Sequence, residues 1–215
     1  MIHTNFPSPS PAPIPVRQRL PSSVRINQIL DVALEAFATR GFASTSIDDI
    51  AGLAGMSKGG IYTHFKSKDD LFEALLERSL TPMVTESQLA RIEGPVTADF
   101  MVEQLIEPMY ERLARRETIL TIRLLFADGA RVPERVAKWR QATIEPYLAT
   151  VEKLVRRGVE QGSLRDGVLT QAPWLLVAPS LYTMFWQMIQ GETFTDMLAQ
   201  QRRAHIAMVR ELFTF

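Results

Sequence analysis

The chain has 215 residues, 46% of them hydrophobic and 22% charged, with 24 basic side chains against 24 acidic ones. This composition allows one or two ordinary globular domains and excludes wholesale disorder. With no cysteine, a disulfide framework, a Cys-ligated metal site, an iron–sulfur cluster and a thiol nucleophile are all excluded; with only three histidines (His3, His64 and His205) a His-rich metal site is not expected, and no cofactor is called for.

The balanced total hides an uneven distribution. Residues 1–68 carry seven Lys/Arg and four acids, whereas the remainder carries 17 basic and 20 acidic residues. A mildly basic front points to an anionic partner there.

Residues 1–21 hold six of the 13 prolines and read as a disordered or extended tail. They lack the basic start and apolar run of a signal peptide, so a cytoplasmic location is expected. Ile26, Ile29, Leu30, Ala33, Leu34 and Phe37 then recur on one helical face. Ser22 or Ser23 can cap this helix, and Gly41 stops it. Ser46 and Asp49 form an S-x-x-D capping pair for a short helix with an Ile47, Ile50, Ala51 and Ala54 face. Gly55 is free to take positive φ, and Ser57 opens a second short helix running to about His64. Ser67 and Asp70 cap a further helix carrying Leu71, Phe72, Leu75 and Leu76.

The remainder reads as helices over about 67–92, 97–115, 117–129, 133–161, 168–191 and 194–214, with Pro108 and Pro146 expected to kink theirs. Val168–Gly191 carries no charge over 24 residues, the length of a membrane span. Its Thr, Gln, Ser and Pro content, and the lack of a flanking Lys/Arg cluster, argue instead for a helix covered by protein. A helix apolar nearly all round needs a cover, and a second subunit is a natural one. The fold class is therefore all-α, divided into the tail (1–21), a three-helix helix-turn-helix unit (22–68) and a larger helical domain (69–215).

The informative segment is Ser46–Phe65. Two short helices joined by Ala54-Gly55-Met56 have the glycine and the small residue, Ala51, that a steep helix crossing needs. On the second helix Lys58, Tyr62, Thr63 and His64 are donors able to reach phosphates or base edges of a duplex. Gly59 and Gly60 each weaken a helix by roughly 1 kcal/mol relative to alanine. They suit a backbone that must approach another surface closely; the plain alternative is a glycine loop with ordinary surface residues around it. The start of the helix also offers amides and a partial positive charge to an anion.

Residues 42–72, FASTSIDDIAGLAGMSKGGIYTHFKSKDDLF, resemble the N-terminal DNA-binding region of the TetR family of transcriptional regulators (TetR/AcrR-like). The resemblance is carried by G-F-x-x-T-S-I at 41–47, I-A at 50–51, A-G at 54–55, S-K-G at 57–59, I-Y-x-H-F at 61–65 and K-S-K-x-x-L-F at 66–72, and extends over about residues 22 to 72. It implies a homodimer on a palindromic double-stranded DNA operator, usually released by a small molecule. By the same resemblance Tyr62, His64 and Lys68 match phosphate-gripping positions. Lys58, Gly59, Gly60 and Thr63 match positions facing the major groove, and Ser46 matches a further backbone contact. His64 stands where an apolar residue is usual; the alternative to a DNA contact is a buried, satisfied histidine. No Arg, Asn or Gln lies between Ser57 and Phe65, so shape readout or the basic tail (Arg17, Arg19, Arg25) is expected to assist.

In residues 73–215 an apolar effector pocket is expected. Candidate lining residues are Met101, Leu105, Met109, Tyr110, Ile122, Phe126, Trp139, Trp174, Met184, Phe185 and Trp186, although such residues at helical spacing also build cores. Arg123 is the only charge from Thr118 to Ala127; it can meet an acidic ligand or an internal acid such as Glu117 or Glu145. The last two helices resemble the family's dimer interface, a four-helix bundle across two subunits. The expected function is a ligand-responsive repressor whose effector is apolar or aromatic; the alternative is a constitutive or architectural DNA-binding protein. The sequence lacks H-E-x-x-H, G-x-S-x-G and a Gly-rich phosphate loop, so no enzyme is expected.

Overall fold

The structure is a computed structural model and describes residues 21–82, 93–190 and 195–215. The tail with Arg17 and Arg19, and the expected helical stretch 83–92, lie outside the described residues. Among those residues all regular structure is helical.

Helix α1 (Ser22–Arg40) starts at Pro21 with no side-chain cap, so Ser22 and Ser23 lie inside its first turn rather than capping it. Gly41 ends it at φ +83°, a conformation that favours glycine, and its N–H donates to the Phe37 carbonyl. The capping box expected at Ser46 and Asp49 starts α2 (Ile47–Leu53). Gly55, at φ +63°, turns the chain into α3 (Lys58–Tyr62), whose Ser57 hydroxyl accepts the Gly60 N–H. α3 is two residues shorter than expected, ending before Thr63. Ser67 caps α4 (Lys68–Leu80), which stops at Thr81, where the backbone becomes extended (ψ 130°).

These helices are too short to persist alone and are held by one apolar cluster. Ile29, Leu30, Ala33, Leu34 and Phe37 of α1 meet Ile50 and Ala51 of α2, Ile61 of α3, and Leu71, Phe72, Leu75 and Leu76 of α4. Phe42 bridges the joint, edge-on to both Phe37 and Phe72. Leu124, Val132 and Trp139 from the larger helical region enter the same cluster. The apolar core therefore runs continuously across α4.

The next helix is α5 (Ala98–Met101), a π turn over Val102–Ile106, and α6 (Glu107–Leu113). α7 (Arg116–Asp128) follows, then α8 (Pro133–Trp139), a second π turn over Arg140–Ile144, and α9 (Glu145–Glu160). Each π turn immediately precedes a helix with proline in its first turn, Pro108 and Pro146. Proline removes one amide donor, and the wider turn upstream accommodates the loss.

The stretch expected as one helix over 168–191 is not one. It breaks into α10 (Val168–Gln171), a 3-10 turn (Pro173–Leu176) and α11 (Ala178–Gln190), because Pro173 and Pro179 cannot continue the hydrogen-bond ladder. α11 is also inverted. Its buried residues are Ser180, Thr183 and Gln187, while Leu181, Tyr182, Phe185 and Ile189 are exposed. The Ser180 and Thr183 hydroxyls and the Gln187 amide N–H donate to carbonyls of Val177, Pro179 and Leu113, while the Gln187 Oε1 finds no partner among the described residues. α12 (Thr195–Phe213) closes a second cluster with Met101, Leu105, Ile106, Tyr110, Val151 and Val209. Among the described residues no helix is long and apolar enough to cross a membrane.

Candidate functional site

α3 buries only Ile61 and turns the rest of its surface outward. Tyr62 is 45% exposed, Lys58, Gly59 and Thr63 are exposed, and His64 is half-buried. Lys58 is held at the start of α3 by Asp48 of α2, Nζ to Oδ2 2.9 Å, and the pairing raises its pKa. The two glycines separate. A side chain at Gly60 would meet Met56 Cε at 3.3 Å, a tight contact within the α2–α3 joint that the methionine end must yield to accept. A side chain at Gly59 would meet nothing within 4 Å. No internal contact explains Gly59.

Two residues expected on DNA are engaged internally. The three donors of the Lys68 ammonium go to the carbonyls of Phe42 (2.5 Å), Ala43 (3.3 Å) and Thr45 (2.9 Å), and the ammonium stands over the Phe42 ring. With its donors filled, Lys68 clamps the turn before α2 instead of projecting a free cation. The Ser46 hydroxyl donates to Asp49 Oδ2 and accepts the Asp49 N–H, so it serves the capping box. Its bonds to Asp49 hold that carboxyl below the usual carboxylate range.

Behind this unit lies a cavity of about 480 Å³. Its wall takes Leu80 and Pro82 from the end of α4, Leu113 and Met109 from α6, Ile122 and Phe126 from α7, Trp139 from α8, and Leu181 and Met184 from α11. Both π turns contribute, through Gln104 and Leu105 and through Arg140 and Ile144. Of the expected lining residues, Leu105, Met109, Ile122, Phe126, Trp139 and Met184 are on the wall.

The others are elsewhere. Met101 is fully buried in the second apolar cluster. Tyr110 is core: its ring meets His205 edge-on and its hydroxyl lies 3.5 Å from Thr183 Oγ1. Arg123 is not on the cavity wall, and among the described residues it pairs with no acid. It donates to the carbonyls of Met188 (3.0 Å) and Gln187 (3.5 Å) near the end of α11, where a helix concentrates partial negative charge. Glu117 and Glu145 are taken by Arg78 and Arg140. Trp174 is 61% exposed, and Trp186 and Phe185 pack on each other within the outward aromatic group of α11.

Sequence reasoning missed Arg112 and Tyr147, which complete the wall. Arg112 donates to the Ser79 carbonyl at 3.3 Å. Burial pushes the Tyr147 hydroxyl up to about 12 despite nearby Arg112, so it stays protonated and a donor. Arg112 reads as a surface charge beside Glu111, and Tyr147, between Pro146 and Leu148, carries no mark that separates a cavity wall from a core.

Short capped helices with one outward recognition surface, standing on a larger helical body with an internal cavity, define a helix-turn-helix regulator. The description "Bacterial regulatory proteins, tetR family" matches residues 29–75, and "AefR-like transcriptional repressor, C-terminal domain" matches residues 102–214. The chain belongs to the TetR family of DNA-binding transcriptional regulators, which are not enzymes. The regulator UidR of Escherichia coli strain K12 is 31% identical over 149 residues, covering 66% of this chain and 70% of that protein. AcrR of Shigella flexneri is 26% identical over 195 residues, covering 86% and 87%. In the SmeT–triclosan complex the fold matches at a TM-score of 0.70 and 24% identity, over 89% of this chain and 92% of that one.

Proposed function

We propose that the chain is a cytoplasmic, homodimeric repressor whose cavity binds a small, largely apolar effector and thereby loosens its hold on a palindromic operator. The carrying observation is that α4 belongs to both ends of the molecule. Its first turn follows α3 directly, and its last turn and Pro82 form part of the cavity wall. A ligand that displaces the end of α4 re-aims α3, and by linkage the operator weakens that ligand by the same factor.

On DNA, Lys58, Tyr62, Thr63 and His64 offer donors, and Gly59 and Gly60 bring backbone close to the groove. Ser46 and Lys68 act one step back, by holding α2 and the turn before it. The inverted α11 supports the dimer. Its apolar outward stripe has no cover among the described residues, and a two-fold pairing would cover it while placing two recognition helices on two half-sites.

The test is a footprint on the DNA upstream of the chain's own gene, repeated with compounds that raise its melting temperature. Protection that a stabilising compound abolishes is the expected result. Protection that every stabilising compound leaves intact favours the constitutive or architectural alternative.

A further inference from the structure

We infer that the cavity is built for an apolar compound carrying one anionic head, a carboxylate or phenolate, and that Arg112 holds that head. This rests on the reading of the cavity as an effector site and names the class of effector. Among the described residues the wall contains two arginines and no Asp or Glu. Arg140, at the exposed edge, is already paired with Glu145. Arg112 is half-buried, and no carboxylate within 4.0 Å pairs with it among the described residues; its one hydrogen bond goes to the Ser79 carbonyl at 3.3 Å. A guanidinium removed from water without a counter-charge is costly, and an anion that enters beside it recovers that loss, best through two parallel N–H···O bonds.

The neighbouring polar groups have the same bias. The Tyr147 hydroxyl has no hydrogen-bond partner among the described residues and is kept protonated by burial. The Trp139 indole N–H, buried in the same wall, also has no acceptor. Burial, and after it Arg115, loosens the guanidinium's proton against the weaker opposing pull of Tyr147 and Glu117, so the nearby acid does not fully compensate the charge. Donors therefore outnumber acceptors around an otherwise apolar space, which disfavours cations and leaves neutral hydrocarbons without compensation for the polar groups.

The head would also act where regulation needs it. Arg112 binds the carbonyl of Ser79, the penultimate residue of α4, and the Ser79 hydroxyl donates to Glu117 of α7 at 2.8 Å. An anion competing for Arg112 releases that carbonyl and so disturbs the last turn of α4.

The experiment measures binding to the full chain by calorimetry and thermal shift, using two pairs matched in apolar body: naphthoate with naphthalenemethanol, and decanoate with decanol. The expected result is a preference for the anion of at least about tenfold in one pair or both. Arg112→Met should abolish the preference and Arg112→Lys should retain it. An alcohol that binds as tightly as its acid in the wild type, an Arg112→Met protein that keeps the preference, or no binding by any of the four overturns the assignment. A neutral compound that binds and releases operator sinks the anionic head but leaves the switch standing. An anion that binds through Arg112 and leaves operator affinity unchanged does the reverse.

Discussion

The ammonium of Lys68 lies 4.4 Å from the centre of the Phe42 ring and donates to that same residue's carbonyl at 2.5 Å. One side chain thus ties the start of α4 to the turn that positions α2. Removing it leaves three carbonyls without this donor in a partly buried turn.

Lys68→Ala should therefore destabilise the fold, by about 1–3 kcal/mol for loss of charge-assisted hydrogen bonds. Urea unfolding measures this directly. Had Lys68 been a free phosphate contact, the same variant would unfold like the wild type and lose about one unit of salt slope on DNA.

Gly59 and Gly60 should behave differently although adjacent. Gly59→Ala meets nothing in the protein, so it gains up to about 1 kcal/mol of stability from helix propensity. It should nonetheless weaken operator binding if the backbone there approaches DNA. Gly60→Ala is tight against the Met56 methyl and should gain less or lose stability. Melting and operator titration of the two variants side by side give the comparison. Equal operator affinity for Gly59→Ala and wild type removes Gly59 from the interface.

The front of the molecule was readable because its signals are local. Ser46, Ser57 and Ser67 cap the next residues along the chain, and Gly41 and Gly55 take positive φ where the chain turns. The structural role of Lys68 was not legible because its partners, Phe42 to Thr45, lie more than twenty residues away and are backbone atoms. The cavity was only half readable for a related reason. Periodicity tells which residues share a helix face, not which of several faces borders empty space. Arg112 and Tyr147 therefore went unnoticed while core residues such as Met101 and Tyr110 were overvalued. In α11 the apolar stripe was legible, but the residues turned into the chain are its polar ones.

His205 gives the fold an acid limit. It is 2% exposed, and burial lowers its imidazole from 6.5 to about 4. Among the described residues neither ring nitrogen makes a hydrogen bond of good geometry; the nearby Leu176 backbone offsets only part of the effect of burial, and the Tyr110 ring faces the imidazole edge-on. Between those two pH values the unfolded chain binds a proton that the folded chain refuses, so stability falls as pH drops from about 6.5 towards 4. A shift of this size corresponds to a loss on the order of 3 kcal/mol. Glu73, whose bonds from Lys138 and Arg135 overcome the effect of burial and hold it below the usual carboxylate range, loses its contribution at still lower pH. Denaturation of His205→Leu across pH should show a flatter profile above pH 4.5 or so, while an unchanged slope would assign the acid sensitivity elsewhere.

The outward stripe of α11 bears on whether operator binding needs two chains. Phe185 is 51% exposed, flanked on the helix by Leu181 and Ile189, so glutamate there loses the surface ring contact with Trp186 and should leave the helical content unchanged. In a two-fold pairing each copy of this side chain would be desolvated, and a large apolar side chain contributes about 1.5–3 kcal/mol when fully buried. Replacing it by a charge on both sides of the symmetric contact adds repulsion to the lost burial. Phe185→Glu should therefore sediment as a monomer at concentrations where the wild type is a dimer. Operator affinity should fall with it, because the second half-site is then no longer engaged at the high effective concentration that a joined pair provides. A Phe185→Glu protein that remains a dimer would move the subunit contact away from α11. A wild-type chain that is monomeric yet binds a palindromic site with full affinity would remove the need for pairing altogether.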